Sequence, residues 1–167
     1  MTNTTTTPTG DIYDRLKTLG IELGKPAVSV ASFVMSAQTG NLVFVSGHIA
    51  KRQDGSVWIG KLGDGINTDE GKRAARAIAI DLITTLHSHT GGDLSKVKRI
   101  VKVMGLVNST PVFNEQHLVI NGCSELLGQV FGDAGKHARS AFGVAQIPMG
   151  ACVEIEMIVE VQPVSKL

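Results

Sequence analysis

Cysteine is nearly missing from this chain: Cys123 and Cys152 alone occur among 167 residues, in stretches that read as a buried helix and a strand. Thiols so few and so placed exclude a disulfide framework and favour a reducing, cytoplasmic setting. Excess charge of either sign is missing too. With 16 Lys and Arg against 15 Asp and Glu, no long-range field gathers polyanions, and no nucleic-acid partner is expected. Aromatic residues make up 4%, too few for the stacking platforms of RNA binders. No run of about 18 apolar residues occurs, so no membrane-spanning segment is expected. The opening "MTNTTTTPTG" has neither the basic nor the apolar part of a secretory leader. The histidines, His48, His87, His89, His117 and His137, never pair three or four apart with a carboxylate, so no metal site is expected.

What remains is a hydrophobic fraction of 43%, enough for one compact core. Residues 1–10, rich in Thr, read as a mobile tail, and 11–26 as a lead-in helix with a linker, Ile12, Leu16 and Leu19 forming the stripe that packs across a sheet edge. Residues 27–163 read as a single domain. "AVSVASFVMSA" and "LVFVSGHIA" predict a hairpin closed by Gly40 and Asn41, and "RQDGSVWIG" predicts a short third strand. Thr68 is placed as the N-cap of a helix to about His89, with Ala75, Ile78, Ala79, Leu82 and Leu86 inward. "KVKRIVKVMGLVN" alternates as a strand, and Pro111 opens a second helix whose stripe starts at Val112 and continues through Val119 and Cys123. Two strands close the chain. The order β-β-β-α-β-α-β-β predicts an α+β domain with both main helices on one face of a mixed sheet.

The last two strands carry the chemistry. In "ACVEIEMIVEVQ", Val153, Ile155, Met157, Val159 and Val161 point one way, and Glu154, Glu156, Ile158 and Glu160 the other. In "HARSAFGVAQI", Arg139 shares a side with the small Ala141 and Gly143 and with Ile147, assigned here to the face without helices. A guanidinium beside small side chains is either a clamp for a small carboxylate or half of a cross-strand ion pair with a glutamate. Glu154 and Glu156 are either catalytic or salt-bridged, and the basic Lys98, Arg99 and Lys102 are read as a solvated face or as partners of the glutamates. A helix-free face mixing apolar, small and charged residues points to other subunits packed on it.

The stretches "ARSAFGVAQIPMGACVEIEMIVEV", "GNLVFVSGHIA" and "VKRIVKVMGLVNS" resemble the RidA/YjgF family, also called the endoribonuclease L-PSP family, over roughly 27–162. The lead-in helix marks a divergent branch. The resemblance implies a chorismate-mutase-like fold assembled as a homotrimeric barrel with sites between subunits. It also implies hydrolysis of reactive 2-imino and 2-enamino acids to 2-keto acids and ammonia, with no cofactor. By position, Arg139 would bind the substrate carboxylate and Glu154 would assist the attacking water, while Ser46, Gly47 and Asn121 would line the pocket. Two positions depart from the family pattern: Phe33 stands where deaminating members carry a tyrosine, and Ala141 where many carry a cysteine. The other readings are a non-catalytic module for small carboxylates and, lower still, RNA cleavage.

Overall fold

A computed structural model describes residues 10–29 and 31–163. The expected N-terminal tail lies outside them except for Gly10. Strands β1 (Ser36–Thr39) and β2 (Leu42–Ile49) form the expected hairpin, with Gly40 at φ 54° in the tight turn. Two-residue strands β3 (Lys61–Leu62) and β4 (Gly65–Ile66) make a small ladder of their own. Long strands β5 (Val97–Asn108), β6 (Ala138–Val144) and β7 (Val153–Val161) complete a five-stranded sheet ordered β1-β2-β7-β5-β6. All its pairings are antiparallel except β5 with β6, which the helix between them makes parallel.

Helix α1 spans Ile12–Thr18, α2 Thr68–His89 and α3 Gln116–Phe131. Both long helices cover one face of the sheet. On α2, Ala74, Ala75, Ile78, Ala79, Leu82, Ile83 and Leu86 are fully buried, the three-and-four spacing of a single face. Each large aliphatic side chain so buried contributes about 1.5–3 kcal/mol. α2 and α3 touch backbone to backbone, because a Cβ on Gly122 would stand 1.9 Å from the Lys72 carbonyl oxygen.

Several expectations need correction. Among the described residues the run before Ser36 is not strand: the ladder of β1 with β2 stops at Ser36 and Val45, where the register of β2 against β7 also shifts. In place of a third strand over 52–60 there are isolated bridges, Lys51 with Val57 and Ile59 with Ala151. The cap of α2 is Asn67, one residue early, in a reciprocal capping box with Glu70. Pro111 does not open α3: Phe113 N–H donates to Thr110 O at 3.2 Å, closing a turn that leaves Val112 86% exposed. α1 packs on α3 rather than on a sheet edge, with Leu16 in the core and Arg15 Nη1 donating to Val130 O at 3.1 Å. In β5, irregularities at Val97/Arg99 and Ile100/Lys102 turn Ile100 into the core beside Val103, which simple alternation placed on the opposite side.

Two halves of a candidate site

β6 is one of the two edge strands, and its pairing with β5 decides where Arg139 points. Arg139 stands opposite Val103 and Ala141 opposite Gly105, both buried under the helices, so the Arg139 side of β6 faces α3. The assignment of Arg139 to the helix-free face is thereby corrected. Ile147, on the same reading, is 4% exposed and buried. On the other side Ser140 and Phe142 look outward, and Ser140 Oγ accepts from Lys102 Nζ at 2.8 Å.

The guanidinium is held by α3. Nη1 donates to Asn121 Oδ1 at 2.8 Å and to Ser124 Oγ at 3.2 Å, and Nη2 donates to His117 O at 3.1 Å. All three acceptors are neutral, so the structural ion pair that the sequence left open is not formed. Of five N–H donors, these bonds engage three and leave Nε–H and one on Nη2. His137 adds a second tier. Its Nδ1 lies 2.6 Å from Gly135 O, which can only accept, so Nδ1 carries the proton and Nε2 accepts from Ser124 Oγ at 3.0 Å. Burial, aided by the nearby Arg139 charge, lowers the His137 pKa and keeps the ring neutral. The chain Arg139, Ser124, His137, Gly135 thus fixes the fork in one pose. A cleft of about 350 Å³ opens beside it, lined by Ser124, Gly128, Gly135, Lys136, His137 and Arg139. Cys123, behind the arginine, has its thiol pushed up to about 12 by burial, which makes it a poor nucleophile.

Glu154 and Gly47, with Ser46 beside them in the chain, lie elsewhere, on the helix-free face. Glu154 pairs with Ile49 on β2 and with Leu106 on β5. Its carboxylate lies across Gly47, where a Cβ would stand 2.1 Å from Oε1, so only glycine admits this pose. Burial first, and then the like charge of Glu156, raises the Glu154 pKa. The bulge carrying Gly47 is pinned from both sides: Ser46 N–H donates to Met35 O at 3.0 Å and Ser46 Oγ to Val34 O at 2.7 Å. Ser46 is therefore a brace, and the Phe33–Met35 segment is what it braces. From below, buried His48 sits with Nδ1 2.7 Å from Ser46 O and Nε2 2.8 Å from Thr85 Oγ1. Neither His48 nor Ser124 stands out in the sequence; the polar "SGH" inside an apolar strand was the available hint. Phe33 is 49% exposed and offers no hydrogen-bond donor in its side chain.

In one protomer, then, Arg139, Asn121 and Ala141 form one half and Glu154 and Gly47 the other, on opposite faces and two strands apart. Among the described residues no helix is long and apolar enough to cross a membrane.

The molecule has clear relatives. The model of a family described as YjgF/chorismate-mutase-like, which also carries an endoribonuclease label, matches residues 13–161. Protein TCP17 of Trypanosoma cruzi is 41% identical over 152 residues, spanning 90% of this chain and 94% of its own. The crystal structure of Atu1372 from Agrobacterium tumefaciens, of unknown function, superposes with a TM-score of 0.84 at 40% identity, covering 90% of this chain and 92% of that one. The E. coli protein TdcF, crystallised with bound serine, shares the fold at 19% identity and a TM-score of 0.56, over 81% of this chain and 93% of its own.

Proposed function

Because the chain belongs to the YjgF/chorismate-mutase-like family, we propose that it hydrolyses reactive small 2-imino and 2-enamino acids to 2-keto acids and ammonia, as a cofactor-free homotrimer. The observation that carries this reading is the Arg139 fork, oriented by three neutral acceptors on α3 and left with two donors beside an open cleft. A planar charged fork held this way suits a carboxylate, which takes two parallel N–H bonds. That a fold relative, TdcF, was crystallised with serine is in keeping with a small amino-acid-like ligand.

Clamping the carboxylate leaves the C=N carbon for water to attack. In the reaction, water adds to that carbon, the resulting carbinolamine gains a proton on nitrogen, and the C–N bond breaks to release ammonia. A carboxyl that takes the proton from water and returns it to the amine serves both steps, and such proton transfer contributes typically 10²–10⁴-fold. Glu154 suits that role, since its raised pKa lets it hold a proton closer to neutrality. Its place on the far face requires a second copy. A trimer that lays the helix-free face of one protomer against the β6 edge of the next would bring Glu154 to Arg139. It would also cover Phe44 and Phe142, each 44% exposed on that face.

Keto-acid formation from freshly generated 2-iminopropanoate tests the reading. Wild type should exceed the buffer rate, and Arg139→Ala should lose roughly 100-fold in kcat/KM, the equivalent of about 3 kcal/mol of charge-assisted binding. A wild-type rate equal to buffer sinks it. One observation favours the binding-module alternative: Phe33 supplies no hydroxyl to the pocket. That alternative predicts pyruvate binding by calorimetry, lost in Arg139→Ala, without turnover. RNA cleavage is not favoured, because the basic start of β5 is occupied: Lys98 and Arg99 both pair with Glu160.

A further inference from the structure

A second cleft, of about 630 Å³, lies between α2 and the loop from β2 to β3, and it shares no residue with the Arg139 groove. On α2, Arg73, Arg76, Ala77 and Ile80 follow the spacing of one helix stripe. Ala77 and Ile80 make an apolar floor, and its shortness at Ala77 gives the cleft depth. The facing wall is Trp58, the single tryptophan of the chain. Its backbone is fixed at both ends, the N–H donating to Ala50 O at 2.8 Å and the carbonyl accepting from Cys152 N–H at 2.9 Å.

The rim is cationic. Lys51 and Arg52 stand on the loop, opposite Arg73 and Arg76 on the helix. Arg52 Cζ lies 4.7 Å from the indole centroid, held there by cation–π attraction. Arg76 Nη1 donates to Gln129 Oε1 at 3.1 Å, a neutral partner that orients the group without neutralising it. Among the described residues, none of these four cations is within 4.0 Å of a carboxylate; the ion pairs are formed by Lys72, Lys98, Arg99 and Lys136. The acid on the same rim, Asp54, accepts from Ser56 N–H at 2.9 Å and from Ser56 Oγ at 2.6 Å. Asp81, in the adjoining groove beside Lys51, adds a second acid, and four cations against these two acids are still a local excess in a chain whose net charge is only +1. Like charges gathered round an apolar floor repel until a multiply charged anion enters.

We propose that this cleft is a second ligand site, for a planar heterocycle carrying two or more phosphate charges, of the nucleoside diphosphate class. The floor takes the flat apolar body beside the Arg52–Trp58 stack, and the arginine forks take phosphate oxygens in pairs. A monocarboxylate would satisfy one cation and leave the floor bare.

Trp58 makes the site its own reporter. ADP titrated into the full-length protein, followed by tryptophan emission excited beyond adenine absorption and by calorimetry, should bind saturably. Adenosine alone and inorganic pyrophosphate alone should each bind at least about tenfold more weakly. Arg73→Glu combined with Arg76→Glu should weaken ADP by a further tenfold or more while circular dichroism and oligomer size stay the same. If that double variant fails to fold, Lys51→Glu on the exposed loop should weaken ADP in the same direction. Absence of saturable ADP binding at low millimolar concentration overturns the proposal, as does binding indifferent to charge reversal. Pyrophosphate binding as tightly as ADP overturns it too, since the cleft would then be only a phosphate patch.

Discussion

At one end of β7, Glu160 accepts from Lys98 Nζ at 2.9 Å and from Arg99 Nε at 3.0 Å, and those partners hold its carboxyl below the usual range. Further back on the same face of the same strand, Glu154 has no cation in ion-pair range among the described residues, lies over Gly47 and has its pKa raised by burial. β5 sets a different neighbour beside each acid: Arg99 stands opposite Glu160, and Leu106 opposite Glu154. An alternating "VEIEMIVEV" therefore contains one ion-paired acid whose pKa is lowered and one buried acid whose pKa is raised, and the strand itself does not distinguish them.

Giving Glu154 what Glu160 has should abolish the difference. Leu106→Arg places a cation at the matching register position, so the Glu154 pKa should fall and turnover should drop about 100-fold, the loss of one acid–base group, with the acidic limb of the pH–rate profile moved down. A profile that does not move would separate Glu154 from the proton transfer. Gly47→Ala is the next test. The added methyl must displace the carboxylate, and a shift of about 1 Å should lower kcat roughly tenfold or more with little change in KM. Unchanged kcat would mean that the pose over Gly47 is dispensable.

The sign of the Glu154 shift also appears in stability. A raised folded pKa gives stabilisation that is fully present below the unfolded value of about 4.5 and is lost as pH rises through the folded value. Glu154→Gln never ionises, so its stability relative to wild type should increase between pH 4 and pH 7 in urea unfolding. A decrease would reverse the assignment. The smallest effect belongs to Glu160→Gln. Its partners Lys98 and Arg99 are solvent-exposed, so the loss of stability should be the smallest of the set and vanish in high salt.

Structure is most legible in the sequence where period and partner are local. The alternation of β7 and the α2 stripe ending at His89 depend on neighbours a few residues away, and both hold in the structure. The basic residues of β5, read in part as partners of the glutamates, do pair with Glu160 through Lys98 and Arg99. What failed depends on distant pairing. The face of Arg139 is set by parallel register with Val103, and the inward turn of Ile100 by irregularities against β7. No period in "HARSAFGVAQI" states which flank of the strand α3 will cover. The brace under Gly47 was hidden for the same reason, since His48 reaches Thr85 across the core. Residue types at the candidate site were legible, then, while their division between two faces was not.

That division is the central claim, and mixed oligomers test it most directly. Arg139→Ala and Glu154→Gln, each inactive alone, are co-assembled in equal amounts. If Arg139 of one copy works with Glu154 of another, random assortment in a trimer makes about a quarter of the sites intact, and about a quarter of wild-type keto-acid formation should return. A mixture as inactive as either parent, with mixed oligomers demonstrated, would contradict a site shared between protomers.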